Sequence, residues 1–350
     1  MIRLERRPQP SFAWAVGAPF AAVLASLVLC AGLIALAGVN PLEAYAEMLR
    51  GAFGSRLSIT ETLARATPLI LTGLAATVAF RARLWNIGGE GQFYMGALAA
   101  AWLGSEALAG LPPALGIAGV MAAGMVAGAL LLLVPAFLRV RFGVDEVVTT
   151  LLTNFIVMLF VGMMVEGPLK DPLAFGWPQS VPVADDLMLP KLIERTRLHV
   201  GLLIAVAVAG LVWLMLARTV FGARARAAGL SAGAAEFAGV PLSRTLLGVA
   251  LISGALAGLA GAIEVAGVKG YVTTDLSPGY GYSGIVVAML AALHPIGVVG
   301  AAVFVAVVFV GADAMSRALG APTFIADVIV AVSLLTMLVA LLFATYRVRR

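Results

Sequence analysis

The chain has 350 residues, of which 62% are hydrophobic and 12% are charged, and its formal net charge is +5. Soluble domains carry about 25% charged residues, so this composition excludes an ordinary soluble domain and indicates an integral membrane protein. The basic excess does not indicate nucleic acid, because basic residues cluster at the ends of apolar segments, as cytoplasmic loops require. With one cysteine, Cys30 in an apolar run, a disulfide framework is excluded.

Apolar runs divide the chain into membrane spans of about 20 residues. They predict an all-α, polytopic membrane protein with about ten transmembrane helices, some short or broken, in a single transmembrane domain over residues 1–350. The first run is too long for a removed signal peptide and is predicted to be an uncleaved span. The predicted spans lie near 12–38, 66–81, 91–109, 113–138, 147–165, 199–216, 245–267, 283–293, 296–314 and 324–344.

Basic residues predict the orientation of these spans. The N-terminus (1–11), the loop 217–245 and the tail 346–350 are basic and are predicted to be cytoplasmic, whereas the proline-rich loop 166–198 is predicted to be extracytoplasmic. Two cytoplasmic termini need an even number of crossings, so the short run 283–293 must cross while tilted or partly unwound. A re-entrant hairpin with nine full spans is the alternative, and it leaves a basic tail outside.

The stretch from Leu84 to Gly96 has a composition unusual for a membrane segment. It holds four glycines, two amides and a carboxylate between apolar runs. Irregular backbone at membrane depth survives only when it packs in protein or lines water, and a carboxylate there usually faces a cavity or a partner. A translocation path is predicted here, whereas a membrane-edge turn with a solvated carboxylate is the alternative. The candidate residues are Asn86, Glu90, Gln92 and Tyr94.

The fifth predicted span begins with a polar stripe. Glu146, Thr150 and Asn154 recur every four residues and therefore share one face of a helix. In lipid such a face is directed to other helices or to a cavity, so Thr150 and Asn154 are predicted to line the path. Hydrogen bonding between helices is the alternative reading of the same stripe.

A second interrupted segment, 275–284, resembles the first in its arrangement. Each has a polar start, a Gly-x-Gly, an aromatic residue, a further glycine and then an apolar run. With ten spans the two segments enter the membrane from opposite sides, which predicts an inverted repeat with the transport site between its halves. Tyr280 and Tyr282 are predicted to line the path, because aromatic faces suit either stacking on a base or packing a gate.

Enzyme-like strings in this chain lack the context that their chemistry needs. The GxGxxG at 279–284 and the GxSxG at 229–233 follow no strand, and neither His199 nor His294 has a metal-ligand residue four positions later. The sequence also has no P-loop, so we predict no catalytic residue, metal site or cofactor. The GxxxG pair Gly254–Gly258 predicts close helix packing, either internal or between subunits.

The loop 219–245 is predicted to carry a docking helix for a cytoplasmic partner. Ser231 suits the cap of a short helix that Gly239 ends, with Phe237 exposed and basic residues before it. A basic loop touching anionic headgroups is the alternative. The docking candidates are Arg224, Arg226, Ser231, Ala234, Ala235, Glu236, Phe237 and Gly239.

Three motifs together resemble one family. They are the run 66–74, the string Asn-Ile-Gly-Gly-Glu-Gly-Gln at 86–92, and Gly-Tyr-Gly-Tyr at 279–282 followed by His294-Pro295. From about residue 60 to 345 the chain resembles the inner-membrane permeases of ABC importers for simple sugars and nucleosides, and its string is closer to the nucleoside branch. The run 229–240 is similar to the coupling helix of that family, although Ser231 stands where an Asn is common.

The resemblance implies a permease subunit that imports nucleosides or related small polar solutes across the bacterial inner membrane. It implies cytoplasmic ATP-binding subunits, a second permease subunit of the same or a different chain, and an extracytoplasmic substrate-binding protein as partners, besides the lipid bilayer. ATP would be hydrolysed by the partner subunits. An ion-coupled secondary transporter that uses Glu90 or Asp145 for proton transfer is the alternative, and a structural membrane scaffold is a third class.

Overall fold

The computed structural model describes residues 3–6, 12–36, 38–320, 324, 328–329, 331–332, 335–336, 339 and 346–349. Within them the chain is mainly helical, with two short strands and a long irregular loop at 167–200. The strands are β1 (Arg3–Arg6) and β2 (Tyr346–Arg349). The helices are α1 (Phe12–Leu36), α2 (Pro41–Phe53), α3 (Arg56–Arg81), α4 (Gly89–Trp102), α5 (Pro113–Phe142), α6 (Glu146–Glu166), α7 (Gly201–Arg218), α8 (Val220–Leu230), α9 (Ala232–Phe237), α10 (Leu242–Glu264), α11 (Tyr280–Leu290) and α12 (Pro295–Leu319).

The predicted all-α polytopic fold is confirmed. Six described helices are long and apolar enough to cross a bilayer, and the bent pair Leu24–Leu36 with Pro41–Phe53 can form a seventh span. Nine predicted spans each coincide with a helix to within about five residues at either end, with two exceptions. Helix α3 begins ten residues earlier than predicted, at Arg56, and α4 ends seven residues earlier, at Trp102. The tenth prediction, 324–344, lies for the most part outside the described residues.

Helix boundaries follow local chemistry around the turn between α5 and α6. Proline at position 113 starts α5, and Gly143, with φ +69°, ends it in the left-handed conformation that glycine adopts without strain. The Asp145 carboxylate then accepts the backbone N–H of Val147 at 2.8 Å and caps α6. Asp145, one of the two residues considered for proton transfer, is thus an N-cap.

The chain divides into two compact units, one of which comprises Met1–Thr62 and Phe304–Arg350. In this unit α2 buries a stripe formed by Ala44, Met48 and Ala52. Strands β1 and β2 pair antiparallel, so that the two ends of the chain lie together. Neither α2 nor these strands were predicted from the sequence.

The second unit, Leu63–Val303, has its core where α4, α5 and α10 cross. Gly258 of α10 lies against the backbones of α4 and α5, and a Cβ added to it would lie 3.0 Å from the Cα of Gly128. Gly96 of α4 is held as closely against Gly258 from its other side. The predicted GxxxG packing is therefore internal to the chain, which settles the alternative that the sequence left open.

Candidate functional site

Helix α11 lies beside the second half of α3 and runs in the same direction. The Thr72 hydroxyl donates to the Tyr280 carbonyl at 2.9 Å, and Arg81 Nε donates to the Leu293 carbonyl at 2.9 Å. Because a helix rises 1.5 Å per residue, Thr72 lies about 13 Å from Arg81 along α3. This distance is close to half the thickness of a membrane core, which is about 30 Å.

Helix α4 begins beside the start of α11 and runs the opposite way. The backbones of Gly89 and Gly281 touch, since a Cβ on Gly89 would lie 3.3 Å from the Gly281 carbonyl oxygen. Beyond the first turns of α4 the chain reaches the loop 167–200, where Ala184 N–H donates to the Gly104 carbonyl at 3.0 Å. The two short helices thus meet with their N-termini together, as an inverted pair of broken segments would.

Irregular, non-helical segments lead into both short helices. Residues 82–88 lead from the Arg81 end of α3 to the start of α4, and residues 270–279 lead from the loop 167–200 to the start of α11. Val183 N–H donates to the Gly270 carbonyl at 2.8 Å and joins that second segment to the loop. The segment 270–293 therefore extends from the loop to the Arg81 end of α3, as a partly unwound crossing requires.

Glu90 joins the two helix N-termini. Its side chain is 5% exposed, and its carboxylate accepts the backbone N–H of Gly281 at 2.6 Å, with further hydrogen bonds from Ser277 and the Tyr282 backbone. The first N–H groups of a helix lack intrahelical partners and carry a partial positive charge. A carboxylate from the first turn of α4 thus caps α11.

The polar stripe on α6 holds the irregular backbone before α4. Glu146 accepts the N–H of Trp85 at 3.2 Å, and Thr150 accepts that of Ile87 at 3.2 Å. Asn154 accepts the N–H of Gly91 at 2.8 Å and donates to the Ile87 carbonyl at 2.9 Å. Each residue of the stripe thereby satisfies a backbone group of the irregular segment or of the first turn of α4, as irregular backbone in a membrane protein requires. Arg139 adds an ion pair with Glu146 and a 2.8 Å hydrogen bond to the Arg83 carbonyl.

Asn86 and Gln92 form a closed amide pair. Asn86 Nδ2 donates to Gln92 Oε1 at 2.9 Å, and Gln92 Nε2 donates back to Asn86 Oδ1 at 2.8 Å. Asn86 also donates to the Ser253 hydroxyl at 3.1 Å, which donates in turn to the Ala75 carbonyl. Both amides are buried, so their hydrogen-bonding groups are used within the protein.

The three candidate tyrosines differ in exposure. Tyr94 is buried, and its hydroxyl donates to the Thr274 carbonyl at 2.9 Å. Tyr280 is buried against Phe93 with ring centroids 5.8 Å apart. Tyr282 is 42% exposed, and its hydroxyl accepts from Asn154 Nδ2 at 3.1 Å. Of the eight path candidates, Tyr282 alone presents its side chain at a surface, whereas the other seven are buried.

The predicted docking helix is α9. The Ser231 hydroxyl accepts the N–H of Ala234 at 3.4 Å, Gly239 follows the helix with φ +81°, and Phe237 is 97% exposed. The predicted cap, helix end and exposed aromatic residue are thereby confirmed. Arg224 and Glu236 are exposed, as are Ala234 and Ser231.

Two docking candidates make contacts within the chain. Arg226 Nη2 donates to the Leu216 carbonyl at the end of α7 at 3.0 Å, so this guanidinium fixes α8 against α7. Ala235 is buried on the inward face of α9.

The loop before α7 contains a buried histidine. His199 Nδ1 accepts the N–H of Gly201 at 3.0 Å, and its ring lies against Gly267 in the π-helical turn Val265–Lys269. Burial, together with the positive charge of Lys191, lowers the pKa of His199 to about 4. Within the described part of the chain, His199 Nε2 has no hydrogen-bond partner. The histidine is thus a packing residue whose ring is buried inside the protein.

Comparison with known proteins gives a match along most of the chain. Residues 58–344 match the family described as branched-chain amino acid transport system / permease component. The chain belongs to this permease family. It is 34% identical to the glucose ABC transporter permease protein TsgB13 of Haloferax volcanii, over 98% of this chain and 92% of that protein.

Two further relatives of this permease are named for nucleosides. The guanosine ABC transporter permease protein NupP of Bacillus subtilis is 32% identical over 91% of both chains. The nucleoside ABC transporter permease protein NupB of Lactococcus lactis is 31% identical over 85% of this chain and 84% of that protein. These relatives support an ABC importer permease over the ion-coupled alternative.

Sequence reasoning missed several residues that build the site of this permease. Ser277 caps α11 by accepting the N–H groups of Gly279 and Tyr280 at 3.0 and 2.8 Å, and a serine three residues before a helix is a signal that could have revealed it. Ser253 and Thr72 carry no such signal, because only the packing of α3 against α10 and α11 brings their hydroxyls to the site.

Proposed function

We propose that this permease imports nucleosides, or related small polar solutes, as the membrane subunit of an ATP-driven importer in the bacterial inner membrane. The observation that carries the proposal is the pair of half-helices α4 and α11, whose N-termini meet around Glu90. Broken helices of this kind mark the transport site in membrane transporters. The guanosine and nucleoside relatives support the substrate class.

In this proposal the polar candidates divide into two roles. Asn86, Glu90, Gln92, Thr150 and Asn154 buttress the path, because their polar groups hold the backbones of the broken segments. Tyr282 faces the path, because its ring is exposed while its hydroxyl is fixed by Asn154. Tyr94 and Tyr280 pack behind it. An aromatic face held in this way suits stacking on a nucleobase.

In this proposal, transport is driven by ATP hydrolysis in separate subunits that dock on the segment 217–245. The exposed Phe237 on α9 supports the docking site, since an exposed aromatic residue beside basic side chains is typical of a protein contact. Arg224, Arg226, Ser231, Ala234 and Glu236 are all exposed on this segment. Arg226, through its hydrogen bond to Leu216, and the buried Ala235 also hold the segment to the rest of the chain. Gly239 ends the helix.

The proposed topology places both termini in the cytoplasm. The antiparallel pairing of β1 with β2 supports this, because it brings residues 3–6 and 346–349 together on one side. The loop 166–198 then lies outside, where a substrate-binding protein delivers the solute. A second permease subunit, of the same or a different chain, completes the importer.

The docking proposal is tested by Phe237→Asp, with Phe175→Asp as its matched control. Phe175 is also fully exposed, but it lies in the loop 166–198. We expect Phe237→Asp to abolish co-purification of the ATP-binding subunits and nucleoside uptake, and Phe175→Asp to leave that co-purification intact. Unchanged co-purification and uptake with Phe237→Asp would contradict the docking assignment.

A further inference from the structure

Arg81 connects the docking segment to both broken helices, and this contact suggests a role beyond packing. Its carbonyl touches Gly229 near the end of α8, so closely that a Cβ on Gly229 would lie 3.0 Å from the carbonyl carbon and closer still to the oxygen. Its guanidinium Nε donates to the Leu293 carbonyl, beyond the end of α11. The segment that carries α4 begins at the next residue, Ala82.

The turn that Arg81 holds is in a conformation that its residues rarely adopt. Ala292 and Leu293 are consecutive non-glycine residues with φ +47° and φ +59°. The left-handed conformation is unfavourable for residues that carry a Cβ, and such residues persist there only when their surroundings hold them. The Arg81 hydrogen bond reaches this turn from α3.

We propose that Arg81 is a positioning residue for transport: it latches the strained turn at Ala292–Leu293 and thereby passes movement of the docking segment to α11. This inference rests on the proposed docking of ATP-binding subunits on α8 and α9. Movement of Gly229 shifts the Arg81 backbone, and release of the Leu293 carbonyl lets the turn relax. Glu90 joins the other end of α11 to α4. Release of the Leu293 carbonyl therefore shifts the starts of both half-helices.

The test uses the complete importer in proteoliposomes, with the permease, its ATP-binding subunits and its binding protein. The variant is Arg81→Ala, and the matched control is Arg83→Ala, which removes the same charge from an exposed side chain two residues away. We expect Arg81→Ala to keep ATP hydrolysis within about twofold of the parent while nucleoside uptake falls at least about tenfold, so that more ATP is hydrolysed per solute. Arg81→Lys, which keeps a donor, should recover part of the uptake.

A second variant tests the strained turn without removing Arg81. Ala292→Gly relieves the left-handed residue and favours the latched turn, so uptake should slow by about threefold although the protein becomes more stable to heat. The proposal is overturned if Arg81→Ala lowers hydrolysis and uptake equally or changes neither. If that variant does not fold, unchanged uptake with Ala292→Gly overturns it.

Failure of this inference is distinguishable from failure of the docking proposal. If α9 does not dock the ATP-binding subunits, Phe237→Asp leaves co-purification intact. If only the latch is wrong, Phe237→Asp abolishes co-purification while the ATP-to-solute ratio of Arg81→Ala equals that of the parent.

Discussion

Glu90 illustrates how a carboxylate can be accommodated in a membrane protein. Its carboxylate accepts the Gly281 N–H at the start of α11, where the first backbone N–H groups of the helix carry a partial positive charge. This arrangement uses the carboxylate as a fixed hydrogen-bond acceptor. The close approach also explains the glycine at position 281, since a Cβ on Gly281 would strike the backbone of Glu90.

Replacing Glu90 tests its role as an acceptor. Glu90→Gln keeps an oxygen for the Gly281 N–H and should retain uptake within about threefold, whereas Glu90→Ala leaves a buried donor unpaired at about 1–3 kcal/mol and should lower uptake about tenfold or more. Initial uptake rates in proteoliposomes measure both. The control is Glu106→Ala, which removes an exposed carboxylate beyond α4 and should leave the uptake rate unchanged. Normal uptake with Glu90→Ala would show that this stretch is not central.

His199 makes the stability of the protein depend on pH. Its pKa is about 4 in the folded protein, below the ordinary value of 6.5, because it is buried near Lys191. A depressed histidine pKa means that the unfolded chain binds the proton more readily, so the stabilisation is complete above about pH 6.5 and is lost as the pH falls towards 4. A difference of about 2.5 units corresponds to about 3 kcal/mol.

Thermal unfolding in detergent between pH 7 and pH 4 measures this dependence. The parent protein should lose stability through that range, and His199→Asn, which keeps an acceptor for Gly201 but does not titrate, should lose less. His294→Asn replaces the exposed histidine and should behave as the parent does. An identical pH profile for His199→Asn and the parent would contradict the assignment.

At the scale of elements, the sequence predicts helices well and their contacts poorly. Long apolar runs determine α5, α6, α7 and α10, because a bilayer leaves few other structures for such segments. Helix α2 was missed because its exposed charges and short length gave no span signal. The polar stripe on α6 was recognised from the sequence, but its hydrogen-bond partners were not. They are backbone N–H groups of residues 85–91, and a backbone group is the same whatever the side chain, so no sequence pattern identifies it.

The crossing of α4, α5 and α10 depends on glycine at the contact. Gly258→Ala places a methyl group against the backbones of Gly124 and Gly128 and should destabilise the protein by about 2 kcal/mol or more. Gly210→Ala in α7 is the matched control, because open space surrounds Gly210 and alanine favours a helix by up to about 1 kcal/mol. The thermal unfolding midpoints of the two variants, each compared with that of the parent protein, test this prediction. Equal stability of the two would show that the crossing tolerates a side chain.

On the scale of the whole molecule, the inverted pair was predictable and its geometry was not. The repeated order of polar start, glycines and aromatic residue in 84–96 and 275–284 indicated two related interruptions. That the two helices meet at Glu90 follows from long-range contacts with α3 and α6, which no local pattern encodes. Family membership then gives the molecule its class, a permease.

The central claim is that ATP, rather than an ion gradient, drives import through this permease. Nucleoside uptake by the complete importer in proteoliposomes tests it, with two conditions compared side by side. One supplies ATP to the ATP-binding subunits and abolishes the proton gradient with a protonophore. The other supplies a proton gradient without ATP. We expect uptake in the first condition and none in the second. Uptake that needs the gradient and survives without ATP would contradict the account.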